Sequence, residues 1–197
     1  MLQLLLGLVL FLGIHSLQSL APQVRQDGIV RWGALGYKAV YAAISLLGLY
    51  LLVQGYGQAR LDPVVLWTPP RGTQHATILL MWLAMVLLVA TYVPGNQIKA
   101  KLRHPMTLSV KVWSLGHLLS NGNLADVLLF GGFLVWSVLV FRAARKRDRQ
   151  NLHSAPEGKL LGTVLALVVG TGVWAAFLMG GLHVWLFGVM PFTRAGG

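Results

Sequence analysis

The histidines of this 197-residue chain are its strongest candidates for chemistry, because three of them lie in or beside long apolar stretches. His15 lies within the uncharged stretch 2–20, and His117 lies within the apolar stretch 112–125. His104 lies shortly before that second stretch. Ionisable side chains inside a membrane are costly and mark functional sites by default. A neutral imidazole nitrogen is also the commonest metal ligand, so we expect a metal centre.

Two imidazoles that face each other between helices suit the two axial positions of a heme iron. The chain has no cysteine, so a covalently attached heme is excluded and the cofactor would be heme b. A three-histidine zinc site is the alternative, but such sites usually have acidic groups around their ligands. No acidic residue accompanies these histidines in the sequence. We therefore predict heme b with His15 and His117 as axial ligands and His104 as the alternative ligand.

Helix geometry is compatible with one porphyrin between the two histidines. A helix rises ~1.5 Å per residue, which puts His117 ~18 Å beyond Pro105 and His15 ~10 Å before Pro22. Both depths, measured from the same side, are within reach of a single porphyrin. Trp113 precedes His117 by four residues and shares its helix face.

Three basic residues are candidates for neutralising the heme propionates, namely Arg25, Arg103 and Lys111. Lys111 fits equally well as a side chain that extends towards the membrane surface. The other histidines have simpler expected roles at an interface, in a loop or in helix packing, and they are His75, His153 and His183.

The elements that must position these side chains are membrane helices. The sequence is 56% hydrophobic and only 11% charged, with a mean hydropathy of +0.67, and this composition excludes an ordinary soluble enzyme. A hydrocarbon core of ~30 Å needs about 20 apolar residues in a helix. We predict an all-α bundle with about six transmembrane helices, near 2–21, 34–57, 75–93, 106–121, 123–142 and 160–187.

The positions of the basic residues support six crossings. With six spans, one face receives Arg25, Arg31, Lys38, Lys99, Lys101, Arg103, Arg142, Arg145, Lys146, Arg147, Arg149 and Lys159. The other face receives Arg60, Arg71 and Arg194. Because basic residues collect in cytoplasmic loops, both termini are expected on the non-cytoplasmic side. The net charge of +11 therefore reflects membrane orientation, and no nucleic-acid partner is expected.

The chain is predicted to form one domain over residues 1–197, with a basic cytoplasmic loop at 143–159. The first helix has no basic segment before it and no cleavage motif after it, so we expect it to be permanent. Small residues spaced by four predict close helix packing, as in Gly162, Ala166 and Gly170, and in Gly172, Ala176 and Gly180. Helical spans indicate the bacterial inner membrane, since outer-membrane proteins are mostly barrels.

Five segments carry a resemblance to a known family: FLGIHS at 11–16, GYKAVY at 36–41, RHP at 103–105, HLLSNG at 117–122 and LFGGF at 129–133. With Lys111 and Trp113, they make the chain resemble the NnrU family of bacterial membrane proteins. That family is homologous to the zeta-carotene isomerases of plants and cyanobacteria. The resemblance is strongest over residues 1–140.

The resemblance implies a polytopic helical bundle. The isomerase branch binds heme b through histidines, and its ligands match His15 and His117, while the histidine of its H-P motif matches His104. The bacterial branch is named for an association with nitrite and nitric oxide reduction. Substrate contacts of the longer isomerase chains do not carry over to this sequence.

Two kinds of function follow as expectations. The first is a heme protein that acts in nitrogen-oxide metabolism, with nitric oxide as a ligand, or that catalyses cis–trans isomerisation of a hydrophobic polyene. The second is a heme-free membrane component for transport or assembly. The scarcity of acidic residues in the spans weakens a proton-coupled transporter. The sequence does not indicate a redox partner.

Overall fold

The computed structural model describes residues 1–70, 72–151 and 157–191. The described residues form helices and connecting turns, with two isolated bridges in place of strands. The helices are α1 (Leu2–Leu20), α2 (Pro22–Ala59), α3 (Thr73–Tyr92), α4 (Gln97–Leu102), α5 (Pro105–Ser120), α6 (Leu124–Asn151), α7 (Leu160–Leu178) and α8 (Leu182–Phe187). The predicted all-helical membrane fold is confirmed.

Five helices are long and apolar enough to cross a membrane, and they are α1, α2, α3, α6 and α7. The predicted fourth span corresponds to α5, which has 16 residues and a length of ~24 Å. This length is below the ~30 Å of a hydrocarbon core. The crossing of α5, and the orientation of the termini that depends on it, stay predictions.

Helix α6 corrects the predicted loop at 143–159. The helix continues through the basic residues to Asn151 and so occupies the first half of that segment. The physical reason is local, because the sequence between Phe133 and Asn151 contains neither glycine nor proline. Arg145 also lies 3.8 Å from Asp148, an i,i+3 ion pair along the helix. His153, predicted to be a loop residue, lies outside the described residues.

Two glycines with positive φ mark breaks in the helices. Gly33 has φ 71° and ψ 166° and makes a kink in α2, which separates an arm at 22–32 from the predicted span at 34–57. Gly181 has φ 74° and ends the predicted span at 160–187 early, so that α7 stops at Leu178 and α8 follows. Glycine adopts positive φ without steric cost, which explains both interruptions.

The chain forms two compact units. Unit 1 contains Met1–Pro69 and Asn121–Asn151, and therefore α1, α2 and α6. Unit 2 contains Pro70–Ser120 and the described part of residues 152–197, with α3, α4, α5, α7 and α8.

Unit 1 is organised by a close approach of α1 and α2. A Cβ atom on Gly7 would lie 2.5 Å from the backbone nitrogen of Leu52, and one on Gly48 would lie 2.8 Å from that of Phe11. Only glycine at these positions allows the two backbones to come this close, as in other pairs of membrane helices. Helix α6 packs on the pair, and the Arg147 guanidinium donates to the Ser19 carbonyl oxygen at 2.8 Å. The buried core of the unit is Leu4, Leu8, Leu52, Ala59 and Ala125.

A buried carboxylate ties α2 to the start of α6. Asp126 is only 3% exposed, and its Oδ1 accepts a hydrogen bond from the Tyr56 hydroxyl at 2.5 Å. Its Oδ2 accepts from the backbone nitrogen and the Nδ2 of Asn123, at 3.3 and 3.0 Å. These hydrogen bonds give Asp126 a structural role in capping the start of α6.

Unit 2 is built around α3, which packs against α5 and α7. The Thr77 hydroxyl donates to the Gly116 carbonyl oxygen at 3.0 Å, and the Ser109 hydroxyl donates to that of Ala84 at 2.7 Å. The predicted packing stripe of α7 is confirmed for its first three residues, which are buried: Gly162, Ala166 and Gly170. In the second stripe Gly172 has open space around it, so it makes no such contact.

Replacing Tyr56 with Phe should destabilise the protein by about 1–3 kcal/mol, because Asp126 would lose one of its hydrogen-bond donors while remaining buried. Thermal unfolding in detergent measures the effect as a lower Tm. Tyr50→Phe is the matched control, since Tyr50 lies on the same helix and is 60% exposed. Equal Tm values for the two variants would contradict the structural role assigned to Asp126.

Candidate functional site

The site in unit 1 begins with the hydrogen bond of His15. The His15 Nδ1 lies 2.7 Å from the Phe11 carbonyl oxygen, one helical turn earlier in α1. A carbonyl oxygen only accepts, so Nδ1 carries the proton in this contact. In the neutral ring, Nε2 then keeps its lone pair. This is the tautomer of a metal-binding histidine whose second nitrogen is held by the backbone.

Aromatic rings surround the imidazole. The Phe11 ring centroid lies 4.2 Å from that of His15, and the Tyr41 centroid lies 5.4 Å from it. Tyr37 follows at 6.3 Å from Tyr41, one turn back along α2. The contact with Tyr41 comes from the antiparallel packing of α1 and α2, whereas Phe11 precedes His15 by one turn on α1. The two neighbouring rings restrict the rotation of the His15 ring.

His15 lines a cavity of about 400 Å³, a volume within the usual range of small-molecule sites. Three segments of unit 1 contribute to it: α1, the arm at 22–32 and the part of α2 after Gly33. The lining residues are Ile14, His15, Gln18, Arg25, Ile29, Ala34, Tyr37, Lys38 and Tyr41.

The cavity is positively charged. Arg25 and Lys38 both line it, and the lining contains no acidic residue. The Arg25 guanidinium carbon lies 6.0 Å from the Tyr37 ring centroid, which is a cation–π distance. A Cβ atom on Gly28 would lie 2.8 Å from Tyr37 Cδ2, so the arm packs closely against this ring. Tyr37 therefore helps to position the arm that carries Arg25.

The structure brings together two of the residues predicted from the sequence, His15 and Arg25. Sequence reasoning missed Gln18, Tyr37, Lys38 and Tyr41 as site residues. A signal was available, because Ala34, Tyr37, Lys38 and Tyr41 have the i, i+3, i+4, i+7 spacing of one helix face. The predicted site residues were only histidines, Trp113 and three basic residues, so this helix face was missed.

The other predicted residues belong to unit 2, where α5 separates them along its length. His104 directly precedes the helix, and its carbonyl oxygen accepts from the Leu108 nitrogen at 3.3 Å, as an N-cap residue does. His117 lies in the last turn. The ~18 Å of helix between Pro105 and His117 means that one iron binds one or the other, because a ligand bond is ~2 Å long. His104 therefore stays the predicted alternative to His117.

Trp113 and His117 meet as their spacing predicts. Their ring centroids are 5.2 Å apart with an interplanar angle of 68°, an edge-to-face contact. Lys111 is half-buried on the same helix. Throughout the described residues, no three histidine, cysteine or acidic side chains gather as a metal site.

Arg103 lies in a strained backbone conformation. It ends α4 with φ 63° and ψ −43°, and it is the only described residue other than glycine with a positive φ. Such a conformation costs a side-chain-bearing residue about 1–3 kcal/mol. The strain falls directly before His104, within the R-H-P motif.

We expect Arg103→Gly to be more stable than Arg103→Ala by about 1 kcal/mol, because both lose the guanidinium but only glycine relieves the strain. Unfolding in detergent with a denaturant measures the difference. The same pair of changes at Lys101, inside α4, should give the opposite order, since glycine disfavours a helix. If Arg103→Ala were more stable than Arg103→Gly, the backbone at position 103 would not be strained.

The family described as NnrU protein matches residues 3–191, nearly the whole chain. A search of curated proteins and a search of solved structures found no match.

Proposed function

The chain belongs to the NnrU family, and we propose that it is an integral protein of the bacterial inner membrane that binds heme b through His15. The family and the five apolar helices support the membrane protein of this type. The heme, its ligands and its role are the proposal. The hydrogen bond between His15 Nδ1 and the Phe11 carbonyl oxygen carries it, because it leaves Nε2 as the ligand atom.

The residues around His15 fit the chemistry of a heme. Tyr37 and Tyr41 offer aromatic surface for a flat apolar ring, and Arg25 and Lys38 offer positive charge for its carboxylates. The Nδ1 hydrogen bond fixes the orientation of the imidazole and raises its basicity as a ligand. This combination of one nitrogen ligand, aromatic walls and unopposed positive charge supports heme over a bare metal ion.

A bound heme would supply reversible ligand binding and one-electron transfer at its iron. His15 would hold that iron through its Nε2 atom. His117, with Trp113 against its ring, stays the predicted second ligand, and His104 stays the alternative. Arg103 and Lys111 stay predicted as alternative partners of the propionates.

The family to which the chain belongs favours a role in nitrite and nitric oxide metabolism, in which the heme would bind nitric oxide. Isomerisation of a polyene stays the expectation that comes from the resemblance to zeta-carotene isomerases. A heme-free transport or assembly component is the alternative. The three functions are separable by experiment.

Absorption spectra of the protein purified in mild detergent test the heme site. We expect a Soret band in the wild type, its loss in His15→Ala, and its partial recovery when imidazole is added to His15→Gly. His75→Ala is the control, because His75 is exposed and belongs to unit 2. His117→Ala and His104→Ala report which of the two serves as second ligand. A folded wild type that takes up no heme would refute the proposal and favour the heme-free alternative.

Nitric oxide binding and polyene isomerisation distinguish the two heme functions. Addition of nitric oxide to the ferrous protein should shift the Soret band, and a deletion strain should grow poorly on nitrite. A changed isomer ratio in a host that accumulates cis-polyenes would instead assign the isomerase function. An unchanged ratio with full heme loading would rule it out.

A further inference from the structure

The two cations that line the cavity beside His15 lie towards one of its ends, and the packing of α1 and α2 determines which end. Gly48 packs against Phe11, and Tyr41 packs against His15, so the two helices run antiparallel. Lys38 lies about one turn before Tyr41 in α2 and therefore nearer to the end of α1. Arg25 belongs to the arm that follows that end.

The two charged side chains thus lie on the same side of the imidazole, towards the end of α1. Lys38 is exposed and Arg25 is half-buried, so neither ammonium nor guanidinium is fully desolvated. The Tyr37 ring packs beneath Arg25 and holds it by a cation–π contact. A ligand of this cavity would place its apolar body beside His15 and Tyr41 and two negative groups beside Lys38 and Arg25.

We propose that Lys38 and Arg25 form a two-cation clamp for the two carboxylates of the porphyrin that His15 holds. This inference rests on the proposed heme function and deepens it. It assigns Lys38, which the sequence argument did not identify, and it fixes the direction of the ligand, with its carboxylates towards the end of α1. Lysine acts on a carboxylate as a point charge, whereas arginine also offers a planar pair of donors.

The direct test compares heme b with its dimethyl ester, which has the same ring and iron but no negative carboxylates. Lys38→Met keeps the length of the side chain and removes its charge. We expect this variant to release heme b about five times faster than the wild type, a modest factor because Lys38 is exposed. Release of the dimethyl ester should be unchanged. Lys38→Arg should restore slow release of heme b.

Arg31→Met is the matched control, since Arg31 lies on the same arm as Arg25 but does not line the cavity. It should leave release of both porphyrins unchanged. Release rates are measured by transfer to an excess of a heme-scavenging protein, and circular dichroism checks that each variant is folded. Arg25→Met should likewise speed the release of heme b more than that of the ester.

Three results would overturn the clamp. Equal effects of Lys38→Met on the two porphyrins would show that Lys38 acts without regard to carboxylates. If Lys38→Met changed the release of neither porphyrin, Lys38 would play no part in holding the porphyrin. If instead Lys38→Met abolishes only the binding of phosphatidylglycerol in native mass spectrometry, the cations hold a lipid headgroup. In all three the wild type still binds heme through His15, so the proposed function stands. A wild type that binds neither porphyrin would overturn both.

Discussion

The close approach of α1 and α2 is the constraint on which unit 1 depends. Lipid offers no hydrophobic driving force between helices, so packing at short range must hold the pair together. Gly7 and Gly48 permit this short distance between the two backbones, because any side chain at either position would collide with the opposing backbone. The contact also fixes how far one helix is displaced along the other. The His15 ring therefore packs against Tyr41 of α2.

Satisfaction of polar groups is the second constraint, and it explains most of the polar side chains inside the helices. A buried polar group without a hydrogen bond costs several kcal/mol in an apolar medium. Asp126 receives its donors from Tyr56 and Asn123. Asn96, only 1% exposed, donates through Nδ2 to the carbonyl oxygens of Ala90 and Val93 and accepts from the Lys99 nitrogen. His15 also forms a hydrogen bond, but through Nδ1 only, to the Phe11 carbonyl oxygen.

The sequence predicted the long helices well because their signal is a long segment without charge. That signal is present within each segment and does not depend on what the segment packs against. The sequence did not predict the helical arm at 22–32 that precedes Gly33, and it failed at Gly181, where a residue with positive φ breaks a segment that is otherwise suitably apolar. It also placed the end of α6 too early, because a run of basic residues was interpreted as a loop although nothing in it breaks a helix. Charge indicates where a chain leaves the membrane, not where a helix ends.

For the site, the sequence identified His15 and Arg25 but not Lys38, Tyr37 or Tyr41. A histidine in a membrane helix is a candidate metal ligand from its residue type alone. A tyrosine or a lysine becomes a candidate site residue only when the residues packed against it are known. The positions of Gly28 over Tyr37 and of Arg25 beside it depend on the kink at Gly33, which no spacing rule predicts. The tautomer of His15 likewise depends on a contact, between Nδ1 and the Phe11 carbonyl oxygen, that the residue type alone does not indicate.

The length of α6 has a mechanical consequence. Its 28 residues extend ~42 Å, more than the ~30 Å that the hydrocarbon layer accommodates, so its arginine-rich last turns must project into the headgroups and water. Sliding this helix inward by a turn would draw Arg142 into oil at a cost of about 2.5–3.5 kcal/mol. Because the Arg147 guanidinium also donates to the Ser19 carbonyl oxygen near the end of α1, the depth of α6 in the membrane is linked to that of α1. We expect this link to hold the imidazole of His15 at one depth in the bilayer.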